Sequence, residues 1–372
     1  MFKCSISEQN EQQVLCGQPK TVAKLDAISN ENGDNETNRE NEENMRAELE
    51  KGKLISSIPK VDGRATGPII HGVVEDCIGN GIKRFYEEYF DNGSLKHFDS
   101  TDAQSLTPAK LGEIFLRIMK QLQGMYDNGY VHLDVKDDNI LLGGDGSSTI
   151  ADFGTATPID GYGRLPADKI ATADKLCGTQ GLMDDRYYDI CAKHLTFVDE
   201  CYPKKTKVQK ELWVQYNCDR RLNELINAFA QTDLRKNDVY AMSQTITKYG
   251  RFMGIGPEFN LNIKVICQLP DSDSRIASFS RMERLIFDMC RGNPTERIDL
   301  STAIARFKIL QKEIIPGIVP IEGVEYDRVT QELKIAQKAR RLAEMKEAAA
   351  RIQRKKEEAD KEGSEVNRAH DD

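Results

Sequence analysis

The sequence predicts an α+β fold in which short extended segments come first and helices follow. Apolar runs at Phe2–Ile6 and Gln13–Leu25, and extended stretches at 68–74 and 82–90, indicate strands within the first 90 residues. The second half is mostly helical in its pattern. A hydrophobic content of 39% over 372 residues is enough for a buried core, whereas 30% charged residues indicate that part of the chain is solvated.

The clearest helix is predicted to begin after Thr107 and Pro108. Threonine is a favoured N-cap, and proline is favoured at the first helical position. The helix is predicted to end at Asn128 and Gly129, since glycine readily adopts a left-handed C-terminal conformation. Its apolar residues recur with a 3.6-residue period and therefore form one buried face. They are Leu111, Ile114, Phe115, Ile118, Met119, Leu122, Met125 and Tyr126.

Two short apolar runs after this helix predict a hairpin. Ile140–Leu142 and Thr149–Ala151 flank the turn sequence GGDGSS. Polar segments lie before and after this central region. Residues 29–44 are rich in Asn and Glu and are predicted to be a flexible insertion, followed by a helix at roughly 44–57. From about Tyr326 dense, nearly balanced charge predicts a long solvated helix or a weak coiled coil.

Charge and cysteine content exclude several classes of protein. A net charge of −8 argues against nucleic acid as the main partner, because phosphate binding needs a concentrated basic surface. The sequence has no run of about 18 apolar residues, so we expect no membrane span, and its first residues lack the apolar stretch of a signal peptide. The 9 cysteines without a CxxC pair favour free thiols in a reducing compartment. We therefore expect a cytoplasmic protein, in its own cell or, if exported as an effector, in a host cell.

Two motifs in the middle of the chain carry the chemistry. Residues 132–142 read HLDVKDDNILL, and residues 151–154 read ADFG. With the preceding amphipathic helix and the hairpin between them, these motifs resemble the catalytic loop and the metal-binding DFG motif of the eukaryotic-type Ser/Thr protein kinase family. The resemblance covers about residues 10–310 and marks the chain as a divergent member with a degenerate glycine-rich loop.

The resemblance implies a bilobal protein-kinase-like fold of the α+β class, with a small β-rich N-lobe and a larger, mainly helical C-lobe. The N-lobe would comprise residues 1–90, with the flexible insertion at about 29–44. The C-lobe would comprise residues 91–315, with an insertion at about 187–237. Residues 316–372 would form a charged helical or disordered tail.

The same resemblance implies roles at the phosphoryl-transfer centre, with ATP and Mg²⁺ as cofactors. Asp134 would accept the proton of the substrate hydroxyl. Lys136 would meet the charge on the transferred group, and a lysine at this position resembles Ser/Thr kinases. Asn139 and Asp152 would hold Mg²⁺ through hard oxygen atoms. Thr179, in the segment 177–183 that is similar to the substrate-receiving segment, would tie the catalytic Asp and Lys together.

Nucleotide contacts are implied in the N-terminal part. Lys24, in the run Thr21–Leu25, resembles the lysine that grips the α/β phosphates, and its partner would be a glutamate on the following helix. Glu50 fits, because Leu54 lies four positions later on the same face and could pack near Phe153. Glu48 is the competing choice.

The segment 88–95 resembles the hinge between the lobes. Its Glu88 and Phe90 would offer backbone groups to adenine.

Two further residues resemble structural anchors of the family. Asp238 would hold the backbone of the catalytic loop, and Arg297 is the arginine of the last signature segment. Where the family has Ala-Pro-Glu this chain has Asp184-Asp185-Arg186, so Arg297 lacks its usual glutamate unless Asp184 or Asp185 substitutes.

Two more positions depart from the family pattern. No GxGxxG precedes Lys24. Leu133 replaces the arginine that answers a phosphorylated activation loop, so we expect no dependence on that switch.

The leading function is therefore an ATP-dependent protein kinase that transfers the γ-phosphoryl group to Ser or Thr of protein substrates. The alternative is a catalytically weak or inactive kinase-like scaffold, favoured by the missing glycine loop. A third possibility is a small-molecule phosphotransferase of the aminoglycoside or choline type, which shares the Asp, Asn and Asp arrangement. The expected partners are ATP and a protein substrate; the sequence leaves the oligomeric state open.

Overall fold

The computed structural model describes residues 21–24, 35–75, 82–101, 106–170, 176, 178–201, 212–340, 342–343 and 345. The fold is α+β, with a sheet and one long helix preceding a mainly helical remainder. The N-terminal elements are β1 (Thr21–Lys24), α1 (Asn35–Ser56), β2 (Ile70–Glu75) and β3 (Ile82–Glu88). Phe2–Ile6 and residues 13–20, where further strands are predicted, lie outside the described residues.

The three strands form one antiparallel sheet in the order β1-β3-β2, so the last strand in sequence lies in the centre. In the register of this sheet Lys24 is opposite Phe85, and Thr21 is opposite Glu88. Helix α1 packs on the sheet through its buried side, where Gly52 lies close to Ile70 of β2. The predicted strands at 82–90, 68–74 and within 13–25 are thus confirmed where the structure describes them.

Helix α1 is longer at its N-terminal end than the sequence indicated. Residues 35–44, assigned above to a flexible insertion, form the first turns of this helix, so that assignment is wrong for them. Adding turns to an existing helix costs far less than nucleating one, and the later turns are anchored by the buried Leu49 and Ile55. A polar segment can therefore be helical without an apolar face of its own.

Two α-helices and four short strands contain or flank the predicted motifs in sequence. Helix α3 (Pro108–Asp127) begins and ends as predicted: the Thr107 side chain accepts a hydrogen bond from the Lys110 N–H, and Gly129 has a positive φ of 77°. All eight predicted apolar residues of α3 are buried. The predicted hairpin is also present. These elements are α2 (Leu95–Thr101), α3 (Pro108–Asp127), β4 (Tyr130–Val131), β5 (Ile140–Leu142), β6 (Ser148–Ile150) and β7 (Thr157–Pro158).

The remaining regular elements of the described chain are helices. The predicted insertion at 187–237 contains most of α5 (Asp185–Cys201), the whole of α6 (Leu212–Ala230), which packs against α5, and the start of α7 (Arg235–Lys248). These elements are α4 (Ala167–Ile170), α5 (Asp185–Cys201), α6 (Leu212–Ala230), α7 (Arg235–Lys248), α8 (Gly250–Met253), α9 (Pro257–Leu261), α10 (Ile263–Ile266), α11 (Arg281–Met289), α12 (Leu300–Glu313) and α13 (323–340).

The tail begins as a helix that contacts the helical body. Tyr326 of α13 is buried, and its hydroxyl accepts a hydrogen bond of 3.0 Å from the Asn260 side chain. Farther along α13, the Gln337 amide donates to the Asn262 side chain at 2.6 Å. The helical alternative for the tail is therefore correct over 323–340, where the helix is mostly exposed, as predicted, but packs on the helical part through Tyr326.

The expectation of free thiols is wrong for Cys267 and Cys290, which form a disulfide 23 residues apart in sequence. They follow helices α10 and α11, whose C-terminal ends bring the two side chains together. Cys191 is a buried thiol that donates a hydrogen bond to the Leu176 carbonyl at 3.4 Å. Among the described helices, none combines the length and the apolar character that crossing a bilayer requires.

Candidate active site

One buried carboxylate holds the backbone of the segment 132–135. Asp238, buried in α7, accepts the backbone N–H groups of His132 at 2.9 Å and Leu133 at 2.7 Å, and the Tyr126 hydroxyl donates to it at 3.3 Å. Burial raises the pKa of Asp238 to about 7, against the effect of these donors. Leu133 has a φ of 67°, a conformation that costs a non-glycine residue free energy, so the anchor stabilises a strained turn.

This turn presents Asp134 to Lys136 and Thr179. The Lys136 ammonium lies 2.7 Å from one oxygen of the Asp134 carboxylate and 2.9 Å from the Thr179 hydroxyl. Both the hydroxyl and the N–H of Thr179 donate to the other carboxylate oxygen, at 2.7 Å and 2.8 Å. Burial raises the pKa of Asp134, but the hydrogen bonds from Lys136 and Thr179 outweigh it and leave that pKa below its ordinary value. Asp134 is therefore ionised at neutral pH.

The contact between Thr179 and Asp134 depends on a close approach of two backbones. A Cβ atom at Gly178 would lie 2.0 Å from the Leu133 carbonyl oxygen, which is far inside van der Waals contact. Only glycine fits at position 178 while the two segments stay in place. Cys177, which precedes it, lies outside the described residues.

Asn139 and Asp152 offer the donor set for a magnesium ion. The Asn139 amide nitrogen donates to the Asp134 backbone carbonyl at 2.9 Å and to its carboxylate at 3.2 Å, which leaves the amide oxygen as the end of the side chain that can bind a cation. Asp152 is exposed and accepts the Gly154 N–H at 3.3 Å. One carboxylate and one amide oxygen are hard ligands of the kind that Mg²⁺ takes, so these residues fit the ion.

The residue after Asp152 fixes the direction of that carboxylate. Asp152 has a φ of 64°, and the Phe153 ring packs edge-on against the His132 ring with centroids 5.6 Å apart. The Thr155 hydroxyl donates to the His132 carbonyl at 2.8 Å. Burial lowers the pKa of His132, so this ring is a neutral packing element between the two motifs.

Glu50 is not directed at this site, and its assignment as a nucleotide contact is wrong. The Glu50 side chain is 68% exposed and pairs with Lys53 at 3.5 Å, and Leu54 is 46% exposed. Glu48, the competing choice, lines a small cavity together with Asp152 and Phe153. Residues two apart on a helix are rotated by about 200°, so only one of these glutamates can face the site.

Lys51 is a site residue that sequence reasoning missed. Its ammonium group donates to the Gly154 carbonyl at 3.0 Å, from a partly buried position on α1. The available signal was the position of Ile55, which is buried and lies four residues later on the same helical face. The resemblance predicted a glutamate four positions before an apolar residue, whereas the residue with this spacing from the buried Ile55 is a lysine.

The predicted adenine contacts lie where β3 ends. The Glu88 N–H donates to the Ile69 carbonyl at 2.8 Å, within the sheet, and the Phe90 carbonyl accepts the Gly93 N–H at 2.9 Å. Lys24 is the last residue of β1, the strand beside β3. Its side chain is outside the part of the chain that the structure describes. These three residues stay predictions of nucleotide contacts.

Asp184 takes the place of the missing glutamate. Its carboxylate lies 3.1 Å from the Arg297 guanidinium, and both side chains are buried. Arg297 also donates to the Lys236 carbonyl at 2.6 Å. Of the two candidates that the sequence left open, Asp185 is exposed. The segment 178–183 is therefore held at its C-terminal end by a buried ion pair.

Comparison with known proteins agrees with this geometry. Residues 72–184 match the protein kinase domain family. "Serine/threonine-protein kinase CST20" of Candida albicans is 29% identical over 117 residues, which cover 32% of this chain and 9% of that protein. "Serine/threonine-protein kinase STE20" of Saccharomyces cerevisiae is 27% identical over 117 residues, covering 32% of this chain and 12% of that protein.

A third relative matches a shorter stretch. "Serine/threonine-protein kinase shk2" of Schizosaccharomyces pombe is 37% identical over 67 residues, covering 18% of this chain and 11% of that protein. The chain thus spans only 9% to 12% of the length of these relatives.

Proposed function

We propose that this chain, of which residues 72–184 match the protein kinase domain family, transfers the γ-phosphoryl group of ATP to Ser or Thr hydroxyls of a protein substrate. The observation that carries the proposal is the arrangement of Asp134, Lys136 and Thr179, which lie within hydrogen-bond distance of one another. We further propose that the sheet and α1 form the smaller of two lobes and the helical remainder the larger.

Asp134 is the proton acceptor in this proposal. Its lowered pKa keeps the carboxylate ionised, and its position next to Thr179 aligns it with the segment that receives the substrate. The ammonium group of Lys136 supplies a positive charge at the same place, where negative charge grows on the transferred group. Neither residue needs to move to reach the other.

Asn139 and Asp152 are the residues that would hold magnesium. The bound ion would neutralise charge on the phosphates and hold them in line with the acceptor. The contact of Asn139 with Asp134 links the proton acceptor and the metal ligand in one hydrogen-bonded unit. Lys51 donates a hydrogen bond to the carbonyl of Gly154, two residues after Asp152, and so fixes the backbone next to this carboxylate.

The second candidate is a kinase-like scaffold that does not transfer phosphate from ATP. It is favoured by the absence of GxGxxG before Lys24 and by the lysine at position 51, on the helix face where a glutamate was expected. A scaffold would retain the buried anchors Asp238 and Arg297 but would have no requirement for an ionised Asp134.

The test measures transfer of labelled phosphate from ATP, with Mg²⁺ present, to a panel of generic protein substrates. Wild type is compared with Asp134→Asn and with Asp138→Asn, an exposed carboxylate of the same loop that pairs with Lys96. We expect the first variant to lose activity by about a hundredfold or more and the second to keep it. Equal labelling by wild type and Asp134→Asn would refute catalysis at this site.

A further inference from the structure

A second cavity lies at the end of the substrate-receiving segment. It has a volume of about 550 Å³ and is bounded by α5, the end of α6, the start of α7 and the loop 293–295. Asp184, which follows the segment 178–183 directly, is part of its wall. The cavity is therefore continuous along the chain with the segment that contacts Asp134.

The two cations in the wall of this cavity are paired differently from its two carboxylates. Its carboxylates, Asp184 and Asp233, pair with arginines outside its wall, at 3.1 Å and 2.8 Å. Its two cations have only neutral partners: Arg186 donates to the Asn293 side chain at 3.3 Å, and Lys236 donates to a backbone carbonyl at 2.6 Å. Across the described residues, neither cation has a carboxylate within 4.0 Å. The wall thus carries two positive charges without a direct ion pair, although Asp233 and Asp299 attract Lys236, and Glu296 attracts Arg186, at longer range.

A buried donor in the same wall also lacks a partner. Asn237 is 2% exposed; its amide oxygen accepts the Asp184 N–H at 3.4 Å, but its amide nitrogen has no hydrogen-bond partner among the described residues. A buried donor left unpaired costs about 1–3 kcal/mol. Lys236 is half-buried, and this burial lowers the pKa of its ammonium group. An anion in the cavity would offset both costs.

We propose that this cavity is a specificity site that binds an anionic side chain of the protein substrate. The inference rests on the proposed function, since it assumes that a peptide lies along the segment 178–183. Thr179 and Asp184 are five residues apart, so an extended chain spans at most about 18 Å between them. The anionic side chain therefore lies within about five residues of the accepting hydroxyl.

The test uses serine peptides in which one position at a time, up to five residues on either side of the serine, carries Glu, Gln or phosphoserine. For wild type we expect kcat/KM to favour Glu over Gln by about tenfold at one position, because a charge-assisted hydrogen bond contributes about 1.5–3 kcal/mol. Arg186→Gln should reduce that ratio to near one. Arg281→Gln, an exposed arginine that pairs with Glu313 away from the cavity, should leave the ratio unchanged.

Asn237→Asp is a second variant that keeps the acceptor for the Asp184 N–H and removes the unpaired donor. It should also lose the preference for Glu. If this buried change prevents folding, the exposed Arg186→Gln variant still decides the question. A larger preference for phosphoserine than for Glu supports the proposal and identifies a phosphate as the better ligand. No preference for either anion at any position overturns it.

A binding measurement separates this inference from the proposed function. Fluorescence anisotropy of the labelled Glu and Gln peptides on the full chain needs no turnover. If wild type binds the Glu peptide about tenfold more tightly, and Arg186→Gln loses the difference, while no peptide is phosphorylated, then the cavity is supported and the proposed activity fails. Equal binding of the Glu and Gln peptides overturns the cavity assignment whatever the activity.

Discussion

The Asp184 carboxylate and the Arg297 guanidinium form a buried ion pair of 3.1 Å that joins the start of α5 to the segment before α12. Burial lowers the pKa of Arg297, while Asp184 acts against this by favouring the charged guanidinium. Asp184, but not Arg297, also lines the proposed specificity site, so the ion pair contributes both to the packing of the helical part and to the position of the segment 178–183.

Asp184→Asn should therefore destabilise the protein strongly. Removing one partner of a buried ion pair costs about 3–5 kcal/mol, because the remaining charge stays buried without compensation. Asp185→Asn is the matched control, since this neighbouring carboxylate is exposed. The free energy of unfolding from urea titrations measures both variants. Equal values for the two would show that Arg297 does not depend on Asp184.

Lys51→Met should reduce kcat/KM for ATP by about tenfold or more, because we propose Lys51 as a positioning residue that fixes the Gly154 carbonyl next to the proposed metal ligand Asp152. The Mg²⁺ concentration at half-maximal rate should rise in the same variant, which a change in overall stability would not produce. Lys53→Met, on the exposed side of α1, is the control. Lys51→Arg should restore part of the activity, and failure of Lys51→Met to alter the Mg²⁺ requirement would contradict the assignment.

The Asp238 carboxylate should make stability depend on pH. Its pKa of about 7 in the folded protein exceeds the value of about 3.9 for an unfolded Asp, so the folded state binds a proton that the unfolded state releases. Its contribution to stability is thus complete below about pH 4 and is lost as pH rises through about 7. Relative to Asp238→Asn, the unfolding free energy of wild type should fall from pH 5 to pH 8. A difference that is constant or rises over this range would contradict the raised pKa.

Tyr326→Ala should destabilise the helical body by about 3 kcal/mol, because it removes a buried aromatic ring and leaves the Asn260 amide without its acceptor. Val324→Ala is the control on the same helix, since Val324 is 83% exposed. Thermal and urea unfolding measure the two variants. If both unfold like wild type, α13 does not stabilise the body.

The sequence was most informative where one local pattern determined the structure. The apolar period and the caps of α3 predicted its ends and its buried face, and the resemblance carried by residues 132–142 singled out Lys136 and Asn139, which contact Asp134. Thr179 lies 45 residues from Asp134, and only the resemblance to a known family could connect the two.

Sequence reasoning failed where the face of a helix or the packing of a distant segment decided the outcome. Glu48 and Glu50 differ by half a turn on α1, and nothing local selects between them. The contact of Lys51 with Gly154 spans 103 residues, and that of Tyr326 with Asn260 spans 66. Contacts of this range leave no periodic signal in the sequence.

The residues that anchor the segments 132–135 and 178–183 limit where the chain can be truncated. The family match ends at residue 184, but Asp238 and Arg297 lie beyond it in sequence. A recombinant fragment cut at residue 184 would contain every letter of both motifs, yet the His132 and Leu133 N–H groups would lose their acceptor. The smallest autonomous unit of this protein therefore extends at least to the segment that carries Arg297.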